Sequence, residues 1–221
     1  LLHDVALQGL HVVLAVDRAG LVGADGPTHH GCQDVGYLTQ IPGMTVLCPA
    51  CYGELREMLR AALAMDGPVA VRYPRGTEGR QYTDWRGESA SVLRQGRDAT
   101  LVSYGVMTDE LLSAAKTLAE GGFEAEVIKL HRIAPLDPEP VLDSVRRTGR
   151  LLVLEDCNEN GSIGQQLAAA LAQAGVKAEQ VSLLNLKQSF APQGTVAQLR
   201  RLMGIDAEAV VHAFSGAEPR S

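Results

Sequence analysis

The sequence predicts an α/β protein made of two successive units, each a parallel sheet covered by helices. Three observations carry this expectation. Short, β-branched apolar runs alternate with stretches of helical periodicity along the chain. Glycine and proline sit at the changes between them. One polar, glycine-containing stretch, 76–98 (GTEGRQYTDWRGESASVLRQGRD), interrupts the rhythm and divides the alternation in two.

In the first unit, residues 11–17 (HVVLAVD), 44–48 (MTVLC) and 69–73 (VAVRY) read as buried strands. Residues 54–65 place Leu55, Met58, Leu59, Ala62 and Leu63 on one helical face, and Gly67-Pro68 ends that helix with a turn. At the start, Leu1, Leu2, Val5 and Ala6 share a face at helical spacing with no capping residue before them. That reads as a chain cut from something longer.

In the second unit, 99–104, 125–130, 151–155 and 180–186 read as strands. Residues 108–120 read as a helix ended by Gly121-Gly122, and 162–174 as one closed by Gly175. Asp137 is the expected cap of another, with Pro138 in the first helical position and Glu139 in the first turn. Two short helices, 196–203 and 206–213, finish the fold. The expected division is therefore 1–76, a linker at 77–98, 99–214, and a tail at 215–221.

Composition narrows the function classes. The chain has 221 residues, 46% hydrophobic and 21% charged, with a net charge of −6. That acidity argues against a nucleic-acid binder, which needs a basic face. No run reaches the roughly 20 apolar residues that span a bilayer, so no membrane partner is expected. Cys32, Cys48, Cys51 and Cys157 are too few for a disulfide framework and read as reduced thiols of a cytoplasmic protein.

The chemistry concentrates where the first strand ends. Residues 17–31 (DRAGLVGADGPTHHG) combine four glycines with Asp17, Arg18, Asp25, His29 and His30. Ligands of open parallel sheets bind at the carboxyl ends of strands. Glycines let a backbone approach a ligand closely, and carboxylate, imidazole and guanidinium together serve proton transfer and phosphate recognition. Composition alone leaves a plain surface loop with turn glycines equally open.

The loop text resembles the pyrimidine-domain signature of the transketolase superfamily, in which D-G-P-T-H recurs. In its longer form, DRAGLVGADGPTH, it is similar to the 1-deoxy-D-xylulose-5-phosphate synthase family. The resemblance continues through HDVALQ, IPGM and RYPRG, then PLD at 135–137, the glycine turn at 161–164 and PQGT at 192–195. It implies the C-terminal half of a thiamine-pyrimidine-binding domain followed by a transketolase C-terminal domain. The reaction it implies joins pyruvate, with loss of carbon dioxide, to D-glyceraldehyde 3-phosphate, the first step of non-mevalonate isoprenoid synthesis. Thiamine diphosphate and Mg2+ are the implied cofactors and a homodimer the implied assembly.

Residue by residue, the resemblance makes Arg18 and Arg75 the ligands of the aldehyde's phosphate. It makes His29 the active-site histidine, passing a proton to the acceptor carbonyl. Asp25 matches a carboxylate that contacts substrate hydroxyls or orients such a histidine, and Asp25-Gly26 is also a turn dipeptide. His30 should point elsewhere, and Arg72 reads as structural. No third ligand accompanies His29-His30, so no metal site is expected.

The family's cofactor-activating glutamate motif (G-x-A-E-Q-H-like) and its magnesium and diphosphate motif (G-D-G…N) are not in this text. The chain by itself is therefore expected to be inactive, and its cofactor-binding residues are unknown. Residues 185–194 (NLKQSFAPQG) also depart from the usual family text. Cys48-Pro49-Ala50-Cys51 has redox spacing without a thioredoxin-like setting, and a plain helix start is the alternative. Two other readings of the whole stand beside this one: a separately encoded C-terminal half of a transketolase-like enzyme, and a non-catalytic pseudoenzyme module.

Overall fold

A computed structural model of the chain describes residues 1–23, 25–82 and 85–216. The first unit contributes β1 (Val13–Val16), α1 (Asp34–Leu38), β2 (Thr45–Leu47), α2 (Tyr52–Ala62) and β3 (Val69–Arg72). There follow β4 (Ala90–Arg94), β5 (Ala99–Tyr104), α3 (Thr108–Glu120), β6 (Ala125–Leu130), β7 (Arg132–Ala134) and α4 (Glu139–Thr148). The chain ends with β8 (Arg150–Leu154), α5 (Ile163–Gln173), β9 (Gln180–Leu184), α6 (Val196–Met203) and α7 (Ala207–Ala213).

Two sheets result, a four-stranded one in the order β1-β3-β2-β7 and a five-stranded one in the order β4-β6-β5-β8-β9. The α/β class stands, and the strands between crossover helices pair in parallel as expected. Each sheet also carries one antiparallel edge strand that periodicity did not reveal. β7 pairs with β2, and β4 pairs with β6.

The expected linker at 77–98 therefore needs correction. Its residues 90–94 form β4, half-buried on the sheet edge, with Val92 facing out. An edge strand buries one face only, so its apolar signal is diluted by polar neighbours. Thr83 and Asp84 of that stretch, and most of the tail read at 215–221, lie outside the described residues. Leu2–Ala6 makes a short π-helical turn in which none of the residues is buried.

The strands alternate their side chains between two cores. On β5, Leu101 packs with α3 and α7, while Val102 and Tyr104 face a core shared with the first sheet. Val46 and Ala70 of the first sheet join Leu130, Ile133, Val141 and Ile163 of the second unit in that shared core. On the far side, Leu47, Val69 and Val71 pack on Met58 and Ala62 of α2. Each such fully buried aliphatic side chain is worth about 1.5–3 kcal/mol of transfer free energy.

Helix starts follow local chemistry. Ser162 caps α5 and Asp206 caps α7 through their side chains, and Thr195 with Gln198 closes a capping box on α6. α4 begins one residue later than a cap at Asp137 would place it. The Asp137 carboxylate still accepts from the Glu139 amide at 3.3 Å.

Candidate active site

β1, β2 and β3 run parallel, so their carboxyl ends gather at one edge of the first sheet. A cavity of about 320 Å³ opens there, lined among others by Asp17, Pro49, Leu55, Tyr73, Arg75 and Val106. Val106 comes from the second unit, so both units wall the cavity.

Past β1 the chain turns at Arg18, which takes a left-handed φ of 58°. A non-glycine residue there is uncommon and costs on the order of 1 kcal/mol. The turn is held from both sides. The Ala19 amide donates to the Tyr73 carbonyl at 3.0 Å, fixing the loop to the end of β3. Gly20 and Gly31 then exchange two backbone bonds of 2.8 and 2.9 Å, which close the loop at its neck. Gly20 has φ 72°, and a Cβ there would fall 1.9 Å from Asp156 Oδ2. Glycine is required at that position on both counts.

The closed loop brings three of the four expected site residues together. Arg75 Nη1 donates to Asp25 Oδ2 at 2.8 Å, and Arg18 Nε lies 3.7 Å from the same oxygen. The arginine side chains are 46% and 57% exposed, so both can reach a ligand at the rim. Asp25 contacts these guanidiniums rather than His29. His29 is exposed, and its Nδ1 lies 3.0 Å from Thr28 Oγ1. The arrangement presents two positive forks on one shared carboxylate, and the His29 imidazole on the same loop is open to solvent.

His30 does point elsewhere. Its Nδ1 accepts the Val22 amide at 3.0 Å, which leaves Nε2–H to donate to the Pro192 carbonyl at 3.1 Å. The residue is buried and ties the loop to the second unit.

Arg72 is 4% exposed and does more than fill β3. Its Nε donates to Asp34 Oδ2 at 2.8 Å, and its Nη2 to the Gly31 carbonyl and to Asp156 Oδ1, both at 3.1 Å. Burial opposes its charge, but Asp34 and Asp156 outweigh burial and hold the guanidinium protonated. An arginine inside an otherwise apolar strand (VAVRY) was the signal for this network, since a buried charge must find partners. Asp34 gave no such signal in sequence, and Asp156 was marked only by the resemblance, as part of an acidic strand end before the glycine turn at 161–164.

The C-x-x-C pair is not poised for redox chemistry. Cys48 and Cys51 are free, buried thiols. Burial pushes Cys48 up to about 12, against the lowering effect of Arg72. The helix start that follows does not activate it.

The donor set suits a phosphate ester more than a metal. Among the described residues no three His, Cys, Asp or Glu side chains gather to hold an ion. Asp25, the carboxylate described on the loop's rim, is engaged by both arginines. No helix among the described residues is long and apolar enough to cross a membrane.

Comparison with known proteins agrees with this architecture. Residues 1–79 match the transketolase pyrimidine binding domain, and residues 88–210 match the transketolase C-terminal domain. The chain is 42% identical over 219 residues to 1-deoxy-D-xylulose-5-phosphate synthase 1 of Geobacter sulfurreducens, covering 96% of this chain and 34% of that protein. It is also 42% identical over 218 residues to 1-deoxy-D-xylulose-5-phosphate synthase of Thermomicrobium roseum, covering 95% of this chain and again 34% of the relative. The chain thus spans about a third of the length of these relatives.

Among solved structures, one described as a split gene transketolase, inactive beta4 tetramer, superposes with TM-score 0.86 and 27% identity. The superposition covers 98% of this chain and 70% of that one. Transketolase from Campylobacter jejuni shares the fold with TM-score 0.75 at 19% identity, covering 96% of this chain and 32% of that one. With its C-terminal domain matched over more than half of its length and a pyrimidine binding domain in front of it, the chain belongs to the transketolase family.

Proposed function

We propose that this chain is the acceptor-substrate side of a 1-deoxy-D-xylulose-5-phosphate synthase, an enzyme joining pyruvate, with decarboxylation, to D-glyceraldehyde 3-phosphate. The observation that carries the reading is the convergence of Arg18 and Arg75 on one carboxylate oxygen at the carboxyl ends of parallel strands. In this reading the two guanidinium forks take the aldehyde's phosphate in paired, charge-assisted bonds. Asp25 holds the two guanidiniums together until the phosphate arrives, then faces the substrate hydroxyls. His29 holds a proton for the acceptor's carbonyl oxygen.

Thiamine diphosphate, when bound, supplies the electron sink for pyruvate. In this reading its diphosphate and Mg2+ are held outside this chain, whose text lacks the family's G-D-G…N motif. The functional division is residues 1–76 and a C-terminal part that begins with β4 and runs to 214, acting in the cytoplasm as a homodimer. Residues 1–221 alone are expected to turn over no pyruvate.

The test is a comparison of acceptors in the full-length enzyme. Arg18→Ala and Arg75→Ala should each raise KM for glyceraldehyde 3-phosphate by about 10- to 100-fold, the worth of a charge-assisted bond. KM for unphosphorylated glyceraldehyde should stay within about twofold, because it lacks the anion these bonds serve. Equal losses on both acceptors would sink the assignment.

A second reading is a separately encoded half that works with a cofactor-binding partner chain. It is favoured by the superposition of 98% of this chain on a split gene transketolase. Reading the coding sequence before Leu1 decides between them: an in-frame cofactor-binding region excludes the split form.

A further inference from the structure

The second unit touches the loop at several points, and one of these contacts falls on backbone next to an arginine of the site. Asp156, just past the end of β8, lies flat against Gly20, so close that a Cβ would meet its Oδ2 at 1.9 Å. The same carboxylate accepts from Arg72 Nη2, and that nitrogen also donates to the Gly31 carbonyl. The Gly31 carbonyl is the group that accepts the Gly20 amide and closes the loop neck. Arg72 in turn lies three residues before Arg75, and Tyr73, just past the end of β3, accepts the Ala19 amide beside Arg18 through its carbonyl.

We infer that the C-terminal unit is a positioning element of the substrate site, with Asp156 and Arg72 fixing the loop neck and β3 so that Arg18 and Arg75 converge. This rests on the reading of those two arginines as phosphate ligands. The guanidinium suits the task because one planar fork reaches three acceptors: Gly31 at the loop neck, Asp34 three residues on at the start of α1, and Asp156 in the second unit. A lysine at the same place keeps the charge but, as a point donor on a flexible stem, cannot hold all three in one plane. Neither Arg72 nor Asp156 reaches the cavity rim, and both are buried. Their effect on substrate passes through the loop.

The experiment uses the full-length enzyme with glyceraldehyde 3-phosphate and glyceraldehyde as paired acceptors. Arg72→Lys should raise KM for the phosphorylated acceptor about tenfold, since displacements of an ångström or less at binding groups have effects of this order. KM for glyceraldehyde and for pyruvate should stay within about twofold, because neither uses the arginine pair. Should Arg72→Lys fail to fold, Asp156→Asn carries the test. It keeps an oxygen for Arg72, and the same split of about threefold is expected. A merely structural role would shift both acceptors alike, and that result, or no change at all, overturns the inference. Arg75→Ala in the same panel separates the two claims. If it discriminates between acceptors while Arg72→Lys does not, only the positioning role falls. If Arg75→Ala does not discriminate, the phosphate reading falls and takes this inference with it.

Discussion

The Lys129 ammonium on β6 is held by both carboxylate oxygens of Glu54 on α2, with the side chains 0% and 1% exposed. The pair joins the two units, since α2 belongs to the first and β6 to the second. Glu54 also accepts the Ala50 amide at 2.7 Å, and the Lys129 ammonium lies 4.2 Å from the centre of the Tyr82 ring. Lys129→Met would leave Glu54 buried without its counter-ion, at a cost of about 3–5 kcal/mol. Pairing that change with Glu54→Leu should recover most of the loss, because two apolar residues in place of a buried ion pair are close to neutral. Urea unfolding of the three variants measures both. A single variant as stable as the parent would refute the account.

His131 sets a pH dependence of stability. Burial pushes its imidazole down from 6.5 to about 4, with Lys129 adding to the drop and Glu54 and Glu88 opposing it. Below the usual value the unfolded chain takes up a proton at this residue while the folded one does not. Stability therefore falls as pH drops from about 6.5 to about 4, by roughly 3 kcal/mol from this group. His131→Gln keeps a donor or acceptor for Ser91 Oγ, now 2.9 Å from Nε2, and removes the titration. The expected result is a flatter profile of unfolding free energy across that window. A slope unchanged from the parent would show that His131 is not its source.

Asp25 competes with any anion for Arg18 and Arg75. Asp25→Asn should tighten binding of inorganic phosphate to the full-length enzyme by about two- to fivefold, the range of a partly exposed ion pair. Turnover should fall at the same time if Asp25 faces the substrate hydroxyls, as proposed. Phosphate inhibition constants measure the first effect and kcat the second. Weaker phosphate binding in the variant would mean that Asp25 builds the anion site rather than guarding it.

Cys32, Cys48 and Cys157 should be silent in the native state. All four cysteines are buried and free, and burial raises Cys32, Cys48 and Cys157 above the usual thiol range. Iodoacetamide at about pH 8 should leave Cys32, Cys48 and Cys157 unlabelled before unfolding, because the thiolate is the reactive form. All four should label in denaturant. Rapid native labelling of Cys48, or a Cys48–Cys51 disulfide under mild oxidant, would revive the redox reading.

Much of the second unit was legible because its elements carry strong local signals. β5, α3 and β6 fall where the apolar runs and the helical face place them. α1 spans only Asp34–Leu38 and β7 only Arg132–Ala134, too short for any period to register. At the site, the type of each residue was readable but its partner was not. Asp25 and Arg75 meet across a long stretch of chain, and only a family resemblance placed them together beforehand. The Arg72 network stayed hidden for the same reason, since Arg72, the stretch from Gly31 to Asp34, and Asp156 lie far apart in the chain.

The crossing of the chain at His131 also decides where this protein can be recombined. β6 completes one sheet and, one residue later, β7 lends its edge to the other, with the His131 carbonyl accepting the Cys48 amide at 2.8 Å. A chimaera joined within the polar stretch after β3 would bring in a foreign β7 with the foreign second half. That strand would have to match the host β2 in register and in the side chains facing the shared core. The seam for grafting is thus not the stretch of chain between the two matched domains but the β2–β7 ladder. Exchanges between relatives should succeed only when that ladder is taken whole from one parent.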